Sequence, residues 1–315
     1  MRRPPPFSRA IDYPATAGTW LLALGVTIAF WAKADLSPLL PDARLAHGQL
    51  WRLLTSALPH REPFHLAFNL YWLWILGTVV EDRLGAARTF ALFAFLAAGA
   101  QAAEYALLDG GVGLSGVGYG LFGMLWVVGR RDPERLGEAV DRTTATLFLA
   151  WFFLCVVATV TGAWEVANIA HAAGALLGAL VGWVMTVPWQ AARALPALAL
   201  GLLIAAATVG RPHLNRSSRR GEEQSALGYA ALREARDADA VWWLRDATTM
   251  NPRDASAWFN LAVSCARTKD FVVAAAAYTR AAELQPDNGK YRAARDEMRA
   301  YLEALRQSAP AGEGG

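Results

Sequence analysis

Three pairs of polar residues stand at the start of otherwise apolar stretches, and their types can support catalysis. The pairs are His65 with Asn69, Ser115 with Tyr119, and Asn168 with His171. An ionisable or strongly polar side chain is costly to bury in a membrane span, so each is a candidate functional residue. A serine hydroxyl is a weak nucleophile until a base takes its proton, and imidazole, with an ordinary pKa of about 6.5, can do so. Ser115 and His171 are therefore a candidate nucleophile and general base.

The spacing of these residues indicates how helices would bring them together. Residues four apart share one face of a helix, which applies to the first two pairs. The three pairs begin the second, fourth and sixth apolar stretches, which run in the same direction because they are all even-numbered. The sequence therefore predicts that the pairs converge near one face of the membrane.

The composition places much of the chain in lipid. Of the 315 residues, 55% are hydrophobic and 18% are charged, and the mean hydropathy is +0.23. Globular chains carry about a quarter charged residues. This composition excludes disordered and collagen-like classes, and two cysteines are too few for a disulfide framework. The net charge of +3 comes without a basic stripe interleaved with aromatic residues, so no nucleic-acid partner is predicted.

Seven apolar stretches approach the length of about 20 residues that crosses a bilayer. They are residues 17–32, 64–80, 89–107, 115–128, 144–160, 166–187 and 194–209. Arginines concentrate in the loops on the side of the N-terminus, which predicts a cytoplasmic N-terminus and places the three polar pairs outside. Two indications disagree on which side of the membrane the seventh stretch ends. The odd number of spans (parity) places its end outside, whereas the arginines after Val209 favour the cytoplasm.

Beyond residue 220 the composition becomes charged and alanine-rich, with an internal period of 34 residues. Ala240, Ala247 and Pro252 recur as Ala274, Ala281 and Pro286. This spacing is typical of tetratricopeptide helical hairpins, and a capping helix is predicted over about 290–307. A generic pair of helical hairpins is the alternative. Such repeats bind peptides or partner helices, so they indicate an interaction module without naming its ligand.

Small residues line two of the apolar stretches. The fourth contains Gly116, Gly120 and Gly123, and the sixth contains Gly174, Gly178 and Gly182. Seams of this kind let two helix backbones approach closely, which would bring Ser115 within reach of His171. The glycine-rich segment 109–113 is flexible enough to place non-helical backbone in a water-filled depression.

As a set, these motifs resemble the rhomboid intramembrane serine proteases over about residues 45–187. The resemblance is carried by Trp51-Arg52, His65-x-x-x-Asn69, Gly113-Leu114-Ser115-Gly116 followed by Tyr119, and His171-x-x-Gly174-x-x-x-Gly178. It implies that Ser115 is the nucleophile, that His171 is its base without a third carboxylate, and that Tyr119 packs on the imidazole. It also implies that His65 and Asn69 line an oxyanion hole with the Ser115 backbone N–H. We assign His65, Asn69, Gly113 and Tyr119 to the oxyanion and substrate-binding set.

Other polar residues have weaker assignments. Asn168 either helps to hold the imidazole or makes an ordinary interhelical hydrogen bond. Trp51 and Arg52 are interpreted as anchors of the first loop, and Glu104, inside the third stretch, receives no role. Gly118 and Gly120 make the start of the fourth helix more flexible than the family pattern requires.

The sequence thus predicts an all-α fold, a membrane bundle of six core spans plus a seventh, followed by a small helical-repeat domain. The predicted boundaries are a basic segment at 1–16, a membrane protease domain at 17–210, an arginine-rich linker at 211–220, repeats at 221–307 and a disordered tail at 308–315. The predicted function is hydrolysis of peptide bonds in or beside transmembrane segments of other proteins, without metal or organic cofactor, in a bacterial plasma membrane. The alternative is a catalytically silent membrane adaptor that recruits partners through its repeats.

Overall fold

The computed structural model describes residues 4–136 and 140–308. The chain divides into two compact units, Met1–Leu214 and Asn215–Gly315. Regular structure in the described residues is entirely helical, which confirms the all-α prediction. The predicted tail at 308–315 lies outside the described residues except for Ser308, which ends the last helix.

The described residues of the first unit form seven long helices. They are α1 (Pro14–Trp31), α2 (Pro63–Leu84), α3 (Ala86–Leu107), α4 (Ser115–Arg131), α5 (Arg142–Val160), α6 (Asn168–Thr186) and α7 (Leu195–Ala207). Among the described residues, six of these helices are long and apolar enough to cross a membrane, when α7 is counted from Gln190. The remaining helix, α4, has 17 residues and falls just short of that length. The protein is therefore a multi-pass membrane protein, and the spans predicted from the sequence correspond to these helices one by one.

Local sequence explains where several of these helices begin. Proline occupies the first position of α1 and of α2, where its missing N–H costs no hydrogen bond. Asp141 caps α5 by accepting a hydrogen bond from the Thr144 backbone N–H at 2.8 Å. The starts of α1 and α6 also receive a carboxylate from a neighbouring helix.

Helix α4 lies at the centre of the bundle, packed most closely against α6 and also against α2 and α3. Most of its residues from Gly116 to Leu125 are buried. The side chains buried around it, each at most 1% exposed, include Leu73, Leu76, Leu96, Leu121, Met124 and Leu125. This core supports Ser115 from below, because Ser115 is the first residue of α4.

Helix α7 ends beside the end of α3. The Arg211 guanidinium lies 3.6 Å above the Tyr105 ring and donates hydrogen bonds to the backbone carbonyls of Tyr105 and Leu108. Since α3 ends where the loop to α4 begins, α7 ends on the same face of the bundle as Ser115, called here the Ser115 face. This is the outcome that parity predicts. Arg211 does not act there as an exposed cytoplasmic charge, because it is only 4% exposed.

The second unit consists of helical hairpins. Its helices are α8 (Glu222–Arg233), α9 (Asp237–Met250), α10 (Ala255–Arg267), α11 (Phe271–Leu284) and α12 (Gly289–Ser308). Turn geometry repeats with the predicted period, because Ala235 and Lys269, 34 residues apart, both have positive φ, 56° and 65°. Ala240 and its counterpart Ala274 are both fully buried. The hairpins therefore repeat in conformation and in packing as well as in sequence.

Candidate active site

Ser115 and His171 meet at the Ser115 face, one at the start of α4 and the other in the first turn of α6. The Ser115 Oγ lies 2.8 Å from the His171 Nε2, which is hydrogen-bond distance. The imidazole is buried, at 3% exposed, whereas Ser115 is half-buried and can be reached from the loop side. Proton transfer from the hydroxyl to the imidazole is geometrically feasible in this arrangement.

Glycines in α4 and α6 make this proximity possible. A Cβ at Gly174 would overlap the backbone carbonyl of Gly116, and one at Gly178 would overlap that of Gly120. Further along, a Cβ at Gly182 would lie 2.6 Å from the Met124 carbonyl oxygen. The two backbones are thus in direct contact along the seam that the sequence predicts, and no larger residue fits without separating the helices.

The His171 ring is held by stacking. Its centroid lies 4.6 Å from that of Tyr119, with 24° between the planes. The Tyr119 hydroxyl donates a hydrogen bond of 3.1 Å to the Phe148 carbonyl, which fixes the tyrosine in turn. The His171 Nδ1 is buried and has no hydrogen-bond partner in the described part of the chain. The orientation of the ring therefore comes from packing and from the backbone of α6.

Asn69 and His65 lie one turn apart on α2. The Asn69 side chain is 6% exposed, and among the described residues its Nδ2 has no hydrogen-bond acceptor. A buried amide donor without a partner is costly and calls for an explanation. The His65 ring packs on the loop before Ser115, because a Cβ at Gly113 would lie 2.9 Å from the His65 Nε2. His65 thus packs beside the loop that carries the nucleophile, and Asn69 holds a donor one helical turn further along α2.

The loop leading to Ser115 is fixed at two backbone N–H groups. Gly113 has a φ of +105°, which residues with a Cβ rarely adopt, and its N–H donates to the Ser56 carbonyl at 3.2 Å. The Leu114 N–H donates to the His60 Nε2 at 3.2 Å. His60 is fully buried, and its Nδ1 lies 2.9 Å from the Leu58 carbonyl.

His60 is the residue of this region that the sequence analysis missed. It lies in the loop before α2, outside the apolar stretches that contain the candidate polar residues. Burial, together with the neighbouring His65, lowers the pKa of His60 to about 3. The imidazole is therefore neutral and able to accept the Leu114 hydrogen bond at Nε2. In the sequence, its presence five residues before His65 in a short loop is what could have indicated a role near the site.

The structure also places the residues with weaker assignments. The Asn168 Nδ2 donates to the Thr159 Oγ1 at 2.8 Å, so Asn168 makes the interhelical hydrogen bond and does not contact the imidazole by any described bond. Arg52 is 4% exposed and donates to the Ser37 and Leu40 carbonyls at 2.7 Å each, which ties the first loop together. Trp51 is 51% exposed.

No group of three or more His, Cys, Asp or Glu side chains suited to hold a metal ion occurs in the parts of the chain that the structure describes. The chemistry available at this face is that of a hydroxyl, an imidazole and hydrogen-bond donors.

The chain is similar to known proteins in both of its units. Residues 47–188 match the family described as Rhomboid domain, and residues 255–288 match the family described as Tetratricopeptide repeat. A protein of Serratia proteamaculans (strain 568) named Rhomboid protease GlpG is 34% identical over 182 residues, which cover 54% of this chain and 62% of the relative.

A second relative with the same name, from Photorhabdus laumondii subsp. laumondii, is 36% identical over 137 residues. That match covers 43% of this chain and 47% of the relative. The chain thus spans between about half and two thirds of the length of these relatives. The Rhomboid domain match, residues 47–188, contains Ser115, His171 and the residues around them, His60, His65, Asn69 and Tyr119.

Proposed function

On the premise that this chain carries a rhomboid domain followed by a tetratricopeptide repeat, we propose that it is an intramembrane serine endopeptidase. Its substrates are peptide bonds in or beside the transmembrane segments of other membrane proteins, and its location is a bacterial plasma membrane. The observation that carries the proposal is the distance of 2.8 Å between the Ser115 Oγ and the His171 Nε2. The relatives named as rhomboid proteases support the same activity.

The reaction runs through an acyl-enzyme. The Ser115 Oγ attacks the scissile carbonyl carbon while its proton passes to the His171 Nε2. The tetrahedral intermediate collapses, the C–N bond breaks, and the imidazolium returns the proton to the leaving amine. Water then attacks the ester carbonyl, giving a proton to His171, and the released Ser115 oxygen takes that proton back. No metal or organic cofactor takes part in these steps.

Negative charge develops on the carbonyl oxygen in each tetrahedral intermediate. Donors aimed at that oxygen stabilise it, and one donor contributes about 2.7–4 kcal/mol. We assign this role to the Asn69 Nδ2, the His65 ring and the Ser115 backbone N–H. The buried, unpartnered Asn69 Nδ2 supports the assignment, because a substrate oxygen would supply the acceptor that the free protein lacks.

The position of the site constrains the substrate. Ser115 begins α4 at the Ser115 face, so the cleaved bond lies near one membrane surface and within reach of water. A helical substrate must unwind locally, because its carbonyls are hydrogen-bonded and covered. Substrates with helix-weakening glycine or proline fit this requirement, and the resemblance to rhomboid proteases implies a small residue before the cleaved bond.

The repeat unit supports a second, separate property. Tetratricopeptide repeats are protein-interaction modules, so we assign to residues 221–307 the binding of a peptide or protein ligand.

The test is cleavage of a model transmembrane substrate by the purified full chain in liposomes. Wild-type protein cuts a substrate carrying a helix-weakening motif, and Ser115→Ala and His171→Ala abolish cleavage. Ser8→Ala, at an exposed position in the segment before α1, serves as a control that keeps the wild-type rate. Cleavage that persists in Ser115→Ala would disprove the assignment of the nucleophile. A wild-type chain that cuts no substrate would instead favour the silent adaptor.

A further inference from the structure

A buried carboxylate approaches the helix that carries His171. Glu104 lies in the last turn of α3 and is 3% exposed. Its Oε2 accepts a hydrogen bond from the Ala170 backbone N–H at 2.9 Å. This N–H belongs to the first turn of α6, directly before His171.

The chemistry of this contact is that of a helix cap supplied by another helix. The first N–H groups of a helix have no partner within it, and the N-terminus carries partial positive charge, so a carboxylate there satisfies both needs. Carboxylates are rarely buried in membrane spans without a partner or a purpose. Glu104 therefore holds the first turn of α6 against α3 at a fixed place.

Three elements meet at this point. A Cβ at Gly111 would lie 2.7 Å from the Ala167 Cβ and 3.6 Å from the Glu104 Cγ. The loop before Ser115 thus packs directly on the residue that precedes α6, beside the carboxylate. Displacement of the α6 start would move His171 relative to both Ser115 and this loop.

No described side-chain acceptor orients the His171 ring at Nδ1, which is buried without a partner. Stacking on Tyr119 sets the plane of the ring, but the position of the ring along α4 depends on the backbone of α6. We propose that Glu104 is a positioning residue for the reaction, one that fixes the first turn of α6 and thereby keeps the His171 Nε2 at the Ser115 Oγ. This inference rests on the proposed function, since it concerns the same pair of residues.

The chain offers a matched control for this role. Glu81, in the last turns of α2, is 4% exposed and accepts hydrogen bonds of 2.8 Å from the Ala15 and Thr16 backbone N–H groups. It caps α1 with the same chemistry, but α1 carries no residue of the candidate site. Removing either carboxylate costs stability, whereas only Glu104 supports the position of His171.

The experiment measures kcat and KM for a model transmembrane substrate, together with the thermal unfolding temperature, for the full chain in liposomes. Glu104→Leu and Glu81→Leu lower the unfolding temperature to a similar degree. Glu104→Leu also lowers kcat by about 10²-fold with little change in KM, the scale expected when a reacting group is displaced by about 1 Å. Glu81→Leu keeps the wild-type kcat at temperatures where it stays folded.

The conservative variants keep the inference testable if the leucine variants do not fold. Glu104→Gln retains an oxygen that accepts a weaker, uncharged hydrogen bond, so kcat falls by only about three- to tenfold, and Glu81→Gln leaves kcat unchanged. Equal kcat values in wild type, Glu104→Leu and Glu104→Gln, or equal losses in the Glu104 and Glu81 variants, would overturn the positioning role. A wild-type chain that neither cleaves substrate nor reacts with a serine-directed phosphonate would instead overturn the proposed function.

Discussion

At the scale of single residues, the candidate site depends on how an imidazole is oriented without a carboxylate partner at its second nitrogen. The Tyr119 ring stacks on His171 and is itself held by a hydrogen bond to the Phe148 carbonyl. Stacking on the aromatic ring therefore helps to orient the imidazole, which is the role of the carboxylate in a catalytic triad. We therefore expect the aromatic ring of Tyr119 to contribute more to kcat than its hydroxyl does.

Tyr119→Phe keeps the stacked ring and loses one hydrogen bond. We expect a loss of about 1 kcal/mol of stability and a kcat within a few-fold of wild type. Tyr119→Leu removes the ring face, so kcat falls by about tenfold or more while the chain remains folded. Steady-state cleavage and thermal unfolding of both variants provide the measurement. Equal kcat values for the two variants would argue against orientation by stacking.

His60 makes stability depend on pH. Its pKa is lowered to about 3 by burial and by His65, against an ordinary value of 6.5. Between these two values the unfolded chain binds more protons than the folded chain, so stability is lost as the pH falls through that window. The unfolding temperature of wild type therefore drops on acidification below pH 6.5.

His60→Gln isolates this contribution. The variant is less stable than wild type at neutral pH, because it disturbs the hydrogen bond from the Leu114 N–H, but its unfolding temperature falls less on acidification. A wild-type slope in His60→Gln would show that His60 does not bind the proton in question.

At the scale of elements, the contact between α4 and α6 determines whether Ser115 and His171 meet. Gly178 lies against the Gly120 backbone, with no room for a Cβ. Gly201 in α7 has nothing within 4 Å of the place a Cβ would occupy, which makes it a matched control.

Gly178→Ala forces α4 and α6 apart. The expected result is a loss of about 1–3 kcal/mol of stability together with a reduced kcat, because overpacking shifts the backbone that carries His171. Gly201→Ala is neutral or slightly stabilising, since alanine is the better helix former. Thermal unfolding and cleavage assays on both variants distinguish these outcomes. A Gly178→Ala variant with wild-type stability would contradict the close packing of the seam.

The face of the bundle on which α7 ends can be tested by chemical labelling. Val209 is 82% exposed and lies just before Arg211, whereas Arg131 ends α4 on the opposite face. Both native cysteines are buried, so introduced cysteines can be labelled selectively. In sealed vesicles of defined orientation, a membrane-impermeant maleimide should label Val209→Cys together with Asp109→Cys.

Arg131→Cys is the control for the other face and should be labelled only after the vesicles are permeabilised. Labelling of Val209→Cys together with Arg131→Cys, and not with Asp109→Cys, would show that α7 ends on the face opposite to Ser115.

Much of this arrangement could be predicted from the sequence because it depends on periodicity. The pairs four residues apart and the glycines of α4 and α6 repeat along single helices, so their shared faces follow from helix geometry. The contacts of His60 with Leu114 and of Glu104 with Ala170 join residues 54 and 66 positions apart. Such contacts depend on how whole helices pack, so helix periodicity does not indicate which residues make them.

At the scale of the whole molecule, the chain joins a membrane unit with a candidate hydrolytic site to a unit of helical repeats. The 34-residue period was visible in the sequence, and the matching turn geometry at Ala235 and Lys269 confirms it. Arg211 was assigned to a linker from composition alone, but its side chain is buried against Tyr105 in the membrane unit. A polar residue after an apolar stretch can thus be part of the fold, which composition does not reveal.

The most direct test of the central claim locates the nucleophile chemically. The full chain in liposomes is incubated with a serine-directed fluorophosphonate, and the modified residue is identified by peptide mass spectrometry. We expect a single adduct on Ser115 that forms in wild type and in Ser8→Ala but not in Ser115→Ala, and that forms far more slowly in His171→Ala. An adduct on another serine, or labelling of Ser115 that is as fast without His171 as with it, would contradict the assignment of Ser115 and His171 as nucleophile and base.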